Sequence, residues 1–164
     1  MLVTGQPGDG PAPYYGFLWS LADGCYAQDG PRDLERRRIC LRREGDTLRM
    51  TDYRRHPRFD QQSDCTSRMR GDRLVHFTCE GRGTGDSERS GRFEGETLVF
   101  RRDYPEQRIQ VRELWRRTDT GFEMEVQAMN RNGEWRPFGR PNLLTGWNYW
   151  RLTRVDAPTS DASD

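Results

Sequence analysis

Residues 98–128 read LVFRRDYPEQRIQVRELWRRTDTGFEMEVQA, and this stretch decides the fold. Side chains of one character recur at every second position, which is the period of a β-strand whose two faces meet different surroundings. The alternating residues are Leu98, Phe100, Arg102 and Tyr104, then Ile109, Val111, Glu113 and Trp115, then Phe122, Met124, Val126 and Ala128. Short connections with Pro, Asp or Gly separate the runs, as in antiparallel strands joined as a meander. A long meander tends to close on itself, because closure removes the exposed edges.

Strands of the same kind are predicted on both sides of this stretch. Gly71-Asp72 and Asn132-Gly133 stand between such runs and are strong hairpin signals. The predicted strands are Tyr14 to Ala22, Leu34 to Arg43, Thr47 to Arg55, Asp64 to Arg70, Arg73 to Arg82, Ser87 to Phe93, Thr97 to Tyr104, Arg108 to Arg117, Gly121 to Asn130, Glu134 to Phe138 and Gly146 to Val155. The predicted fold class is therefore all-β, a single antiparallel up-and-down β-barrel of about eight to ten strands.

The 164 residues are expected to form one domain. Residues 1–13 are rich in Gly and Pro and predict a flexible N-terminal segment. Residues 14–156 hold the barrel, and residues 157–164 are expected to be a disordered tail. The pattern leaves room for a helix only in the N-terminal stretch or around Pro141 to Thr145.

The charged residues exclude several classes of function. All 27 basic residues are arginine, so catalysis or cofactor attachment through a lysine imine is excluded. Positive and negative residues are mixed and the net charge is only +1, so we expect no nucleic-acid partner. No apolar segment approaches membrane-spanning length, and the N-terminus does not resemble a signal peptide. We therefore expect a cytoplasmic protein with no membrane partner.

The four cysteines, Cys25, Cys40, Cys65 and Cys79, are widely spaced. Zinc sites usually carry closely paired ligands, and no such pair occurs in the sequence. Since no secretory signal is seen, we expect these residues to be free thiols packed among the strands.

Several motifs of the second half resemble those of bacterial lipocalin-like domains, which are calycin-type β-barrels. The resemblance is carried by GRFEGETL at residues 91–98, ELWR at residues 113–116, GFEME at residues 121–125 and the hairpin NGEW at residues 132–135. It implies a cup lined by apolar and aromatic side chains that holds a small hydrophobic molecule. Relatives of this architecture include carriers, haem binders, and cyclases or isomerases, and the fold alone does not choose among them.

Glu113 is the first candidate for chemistry, because it shares a predicted strand face with Val111 and Trp115. A carboxyl group on an apolar face loses hydration, which raises its pKa and suits it to general acid or base catalysis. The alternative is a Glu that is paired with an arginine near the barrel rim. Arg151 on the last strand is the expected partner, and the pair would then bind a polar head group.

Two further residues are assigned catalytic roles beside Glu113. His76 carries an imidazole, a group that often acts as a general acid or base, and the alternative is an outward or hydrogen-bonded histidine. Tyr149 can donate a hydrogen bond to a ligand carbonyl. Glu123 and Glu125 are expected to face solvent, with an inward orientation as the alternative. The residues expected to bind the ligand are Trp19, Tyr53, Phe100, Val111, Trp115, Met124, Trp147 and Arg151.

We expect no cofactor and no metal. Haem in particular is disfavoured, since a related haem-binding barrel carries its ligand near the C-terminus and no histidine follows His76. The leading hypothesis is an enzyme that binds a small hydrophobic biosynthetic intermediate and promotes its cyclisation or isomerisation. The alternatives are a non-catalytic carrier or sensor, and a scaffold that binds a partner protein. The oligomeric state is left open, with a homodimer among the options.

Overall fold

A computed structural model describes residues 12–29, 36–70, 74–106, 108–137 and 149–155, most of which lie in β-strands. The elements are α1 (Ala12–Leu21), β1 (Gly24–Asp29), β2 (Arg36–Glu44), β3 (Thr47–His56), β4 (Phe59–Arg70), β5 (Leu74–Arg82), β6 (Ser87–Glu94), β7 (Thr97–Tyr104), β8 (Ile109–Arg117), β9 (Gly121–Met129), β10 (Trp135–Pro137) and β11 (Tyr149–Val155). The predicted Gly71-Asp72 turn lies outside the described residues, as do residues 1–11, the tail 157–164, Pro141 to Thr145 and Trp147.

Ten of the strands close into an antiparallel up-and-down barrel, which confirms the predicted fold class. Strands β1 to β9 pair in chain order, β9 pairs with β11, and β11 pairs back onto β1. The short β10 is an extra strand that extends β9 beyond β11. A closed antiparallel barrel is compatible with a lipocalin-like fold.

Hairpin glycines set the register of this meander. Two-residue loops join Glu44 to Thr47 and Glu94 to Thr97. Gly45 and Gly95 have φ values of 60° and 65° at the first position of these loops. Glycine adopts this left-handed backbone at low cost, and such turns match the twist of the flanking strands. Because a register shift of one residue would exchange the faces, these turns determine which side chains enter the barrel.

Helix α1 closes one end of the barrel, and the predicted strand from Tyr14 to Ala22 is therefore wrong. Phe17, Leu18 and Leu21 are all buried in the core, and the Phe17 ring lies 6.4 Å from that of Phe93. The strand was predicted from a period of two residues, whereas Phe17, Leu18 and Leu21 follow the spacing of one helical face. The strand that opens the barrel is β1, which the sequence pattern did not reveal.

Aromatic rings fill the middle of the barrel above α1. Phe77, Phe100, Trp115 and Phe122 are at most 2% exposed. Consecutive rings in this group have centroids 5.5 to 5.8 Å apart, and Phe77 also lies 6.2 Å from Trp115. The helical half of the interior therefore contains a cluster of buried hydrophobic side chains, and this aromatic floor lies between it and the opposite half.

The four cysteines form two disulfides, so the prediction of free thiols is wrong. The bonds are Cys25–Cys40 and Cys65–Cys79, each between directly opposed residues of neighbouring strands with Cα atoms 4.0 Å apart. Sequence separations of 15 and 14 residues concealed this, because the strand register and not the spacing brings the thiols together. The Cys65–Cys79 bond belongs to the inner core, whereas Cys25 and Cys40 alternate with the inward Tyr26 and Ile39 and lie on the outer face.

No helix in the described part of the chain has the length and apolar character needed to cross a membrane.

Candidate functional site

The half of the barrel opposite α1 contains a cavity of about 260 Å³, here called the inner cavity. Its walls come from strands all around the barrel and are mostly polar. The lining residues are Arg37, Met50, Asp52, Arg54, Ser63, Cys65, Cys79, Ser87, Arg89, Glu113, Met124, Val126 and Trp150.

Among the described residues, five charged side chains line the inner cavity: three arginines and two carboxylates, with a formal net charge of +1. Strand alternation places them there. Arg37 shares the inner face of β2 with Ile39 and Leu41, and the inner face of β3 continues from Met50 through Asp52 to Arg54.

Arg37 and Asp52 form a mostly buried ion pair. Arg37 donates from Nε to Oδ1 at 3.1 Å and from Nη2 to Oδ2 at 2.7 Å. Burial alone would raise the pKa of the Asp52 carboxyl group, but Arg37, with help from Arg89 and Arg54, outweighs burial and lowers the pKa. Asp52 therefore stays ionised and fixes the planar guanidinium of Arg37 in one orientation.

Trp150 supports two of the arginines. The Arg37 and Arg54 guanidinium carbons lie 5.1 and 5.6 Å from the Trp150 ring centroid. These two arginines are also direct neighbours across β2 and β3. Contact with an aromatic face stabilises a cation and holds the planar guanidinium group in a defined orientation.

Arg89 and Glu113 form the second ion pair of the inner cavity, with Nη1 and Oε2 3.4 Å apart. The Glu113 oxygen also accepts a hydrogen bond from the Trp115 indole N–H. Arg89 lies 4.4 Å from the Phe100 ring centroid, so this pair stands directly on the aromatic floor. The sequence predicted Arg151 as the partner of Glu113, and that pairing is wrong, because Arg151 lies outside the barrel and pairs with Glu123 at 3.8 Å.

Some of the predicted site residues do lie on the inner face. Glu113 and Met124 line the inner cavity. Phe100 and Trp115 are buried in the floor beneath it, and Val111 is a buried residue two positions from Glu113 on the same face of β8.

His76 and Tyr149 lie on the outer face, so the structure does not bring them together with Glu113. The His76 ring nitrogens lie 2.8 Å from Ser90 Oγ and 2.9 Å from Glu88 Oε1. Tyr149 is 38% exposed and donates a hydrogen bond of 2.7 Å to Glu123. Partial burial and this carboxylate raise the pKa of the Tyr149 hydroxyl, which makes it a poorer acid.

Tyr53 and Trp19, which were also predicted to bind the ligand, lie away from the inner cavity. Tyr53 lies on the outer face of β3, between the inward Asp52 and Arg54. Trp19 is on α1 and packs beneath Arg43, whose guanidinium carbon is 4.0 Å from the ring centroid. Glu123 and Glu125 face outward as expected, and both accept hydrogen bonds from Arg116.

Sequence reasoning missed the arginines that define the site. Arg37, Arg54 and Arg89 were not distinguished from the other arginines of this arginine-rich chain. A signal was present, because Arg37 continues the alternation of Ile39 and Leu41 and so belongs to the inner face. If the two-residue alternation of Ile39 and Leu41 had been followed to the start of the strand, Arg37 would have been predicted to face the barrel interior.

The described residues contain no group of three or more His, Cys, Asp or Glu arranged to hold a metal ion. Comparisons with protein-family models, curated proteins and solved structures found no match.

Proposed function

We propose that this protein binds a small organic acid in the inner cavity. The observation that carries the proposal is the formal net charge of +1 on the five charged side chains that the described residues contribute to the inner cavity, which is complementary to a single carboxylate. Trp150, Met50, Met124 and Val126 supply apolar wall beside these charges for the remainder of the ligand.

The size of the inner cavity limits the ligand. Its volume of about 260 Å³ is slightly below the range of roughly 300 to 1,000 Å³ that is common for ligand pockets. A monocarboxylate with one ring or a short chain fits such a volume better than a large hydrophobic molecule does. The predicted hydrophobic ligand is thus refined to an amphipathic acid, with its apolar part on Trp150 and its charge at the arginines.

The lipocalin-like assignment is part of the proposal. It is supported by the closed up-and-down barrel, by the end that α1 occludes and by the cavity at the opposite end. The presence of a cavity also weighs against the alternative of a completely filled scaffold barrel.

The compartment is likewise a proposal. A cytoplasmic location stays a prediction from the sequence, and the two disulfides weigh against it. Structural disulfides persist mainly in oxidising compartments, so we propose an oxidising location.

The test of acid binding compares benzoate with benzamide, which has a similar shape and no charge. We expect benzoate, measured by isothermal titration calorimetry, to bind at least about tenfold more tightly, because only benzoate gains charge-assisted hydrogen bonds to arginine. Arg54→Gln reduces the charge of the inner cavity from +1 to zero and should remove this preference.

Arg55→Gln is the matched control for that variant. Arg55 is the next residue of β3 but points outward, where it pairs with Asp60 at 4.0 Å. It should keep the preference for benzoate. Equal binding of benzoate and benzamide by the unaltered protein would refute the proposal, as would equal losses in the two variants.

A second candidate is an enzyme that isomerises or cyclises its bound acid, and the position of Glu113 favours it. This carboxylate lies in the wall of the inner cavity, held between the Trp115 indole N–H and Arg89. A fixed carboxylate that reaches a bound molecule can move a proton between two of its atoms.

Glu113→Gln separates catalysis from binding. Molecules that co-purify with the protein would be extracted, identified by mass spectrometry, and incubated with each protein while NMR follows their conversion. An enzyme should convert the molecule, and Glu113→Gln should still bind it while slowing conversion by about a hundredfold or more. Unchanged conversion in the variant would remove Glu113 from the mechanism, and no conversion by either protein would favour a carrier.

A further inference from the structure

The Cys65–Cys79 disulfide lies in the wall of the inner cavity, together with the three arginines. Cys79 is directly opposite Ser87 on β6, and Arg89 follows two residues later on the same face. Cys65 is directly opposite Met50 on β3, and Asp52 and Arg54 follow on that face. Neighbours of this kind are separated by roughly 5 to 8 Å at Cβ, within reach of long side chains.

We propose that the Cys65–Cys79 disulfide is a thiol-exchange site for small anionic thiols. The inference rests on the proposed function, since the same arginines would hold the negative group of the thiol. It adds a reaction at a defined bond and a substrate class, namely short mercapto acids of one negative charge.

The exchange has two balanced steps. The thiolate of the first molecule attacks one cysteine sulfur, so that a mixed disulfide forms while the Cys65–Cys79 bond breaks and the other cysteine leaves as a thiolate. A second thiol molecule then attacks the mixed disulfide. This releases the small-molecule disulfide and leaves both cysteines reduced, with two electrons transferred from the two thiols to the protein bond.

The arginines favour this chemistry in two ways. They outnumber the two carboxylates of the inner cavity, and the resulting positive charge raises the local concentration of an anionic thiol. They also stabilise the thiolate that leaves, because nearby cations lower the pKa of a cysteine thiol. Both effects need the bond to share a wall with guanidinium groups, as it does here.

The Cys25–Cys40 disulfide is a natural internal control. It joins directly opposed residues with the same Cα separation of 4.0 Å, but it lies on the outer face and does not line the inner cavity. Arg38 and Arg42 flank Cys40 on that face, so the surface also attracts anions. Arg42 is largely exposed, however, and salt at about 1 M shortens the screening length to about 3 Å, which suppresses such surface attraction.

The experiment measures reduction of each disulfide by 2-mercaptoethanesulfonate and by the neutral 2-mercaptoethanol in 1 M NaCl. Released thiols are alkylated and quantified by peptide mass spectrometry. For each disulfide, the rate with the anionic thiol is divided by the rate with the neutral thiol. The ratio for Cys65–Cys79 is then divided by the ratio for Cys25–Cys40. This quotient cancels the difference in intrinsic reactivity between the two thiols. We expect a quotient of about ten, from attraction of the anion into the inner cavity. A quotient near one would overturn the proposal.

Variants and competition locate the effect. Arg54→Gln should bring the quotient close to one, whereas the outward Arg55→Gln should leave it unchanged. In the unaltered protein, saturating benzoate should also lower the quotient while benzamide should not, which tests the site even if Arg54→Gln does not fold. If benzoate binds but the quotient is one, the exchange proposal fails and acid binding stands. If the quotient is ten without any binding of benzoate, acid binding fails as a general function.

Discussion

At the scale of single residues, the Arg37–Asp52 pair shows how the inner cavity can carry charge without losing its shape. The two hydrogen bonds fix both side chains, and the Trp150 ring covers the guanidinium. Removing one member of a mostly buried pair leaves the other charge without its partner, which costs far more than the loss of an exposed pair.

Asp52→Asn should therefore destabilise the protein by about 3 kcal/mol at neutral pH, measured by urea unfolding. Asp60→Asn is the control, because its ion pair with Arg55 is exposed, and it should change the free energy of unfolding by less than about 1 kcal/mol. Equal effects of the two substitutions would contradict the buried character of the Arg37–Asp52 pair.

The destabilisation caused by Asp52→Asn should also depend on pH, in a direction that the pKa of Asp52 determines. Since the folded protein lowers the pKa of Asp52, its contribution to stability is complete above the unfolded pKa of about 3.9 and is lost as the pH falls through the folded value. The difference between the unaltered protein and Asp52→Asn should thus be largest at neutral pH and shrink below about pH 4. A difference independent of pH would exclude this linkage.

Residue identity alone could predict only part of the site. Glu113 was found because a carboxylate among Val111 and Trp115 breaks an apolar pattern. Arg54 was not found, because arginine is common on the surface and its strand, unlike β8, has few apolar residues near that position. The partners of each charge depend on which strands become neighbours, and this information is not local to any one strand.

At the scale of elements, the closing contact between β9 and β11 depends on a glycine. Gly121 pairs with Thr153, and a Cβ atom at this position would lie 2.1 Å from the Leu152 carbonyl oxygen and 3.0 Å from the Tyr26 ring. A backbone oxygen can move only if the strand moves, so no side chain fits without opening this seam.

Gly121→Ala should lower the free energy of unfolding by about 1 to 3 kcal/mol, in line with other overpacked sites. Gly85→Ala is the control, because a Cβ there would meet nothing within 4 Å. It should change stability by less than about 0.5 kcal/mol in the same urea titration. If the two alanine variants were equally stable, the seam would be looser than the structure indicates.

The sequence predicted the strands of the hairpins well, but it predicted the first element, α1, as a strand. β2, β3 and β5 to β9 begin and end within two residues of the predicted bounds, since alternation and turn glycines mark them clearly. α1 was mistaken for a strand because ten residues with several aromatic side chains satisfy both periodicities. The packing of Phe17 against Phe93 selects the helix, and this contact spans most of the first half of the chain.

At the scale of the whole molecule, closure followed from the sequence because every long strand has a partner on each side. The sequence pattern also predicted a usable interior, but not its division into a packed half and a charged half. The disulfides were missed for a related reason, since Cys65 meets Cys79 only through the register of β4 and β5. The position and the two faces of each strand could therefore be predicted from the sequence, whereas the contacts between residues of neighbouring strands could not.

The aromatic floor also limits how a molecule can enter and leave the inner cavity. The buried rings of Phe77, Phe100, Trp115 and Phe122 lie between the inner cavity and α1. The inner cavity is therefore closed on the helical side and does not form a channel through the barrel. If the inner cavity holds the proposed acid, the bound molecule leaves from the side away from α1, and an incoming molecule does not displace it from the helical side. Under that proposal, one molecule leaves the inner cavity before the next one binds.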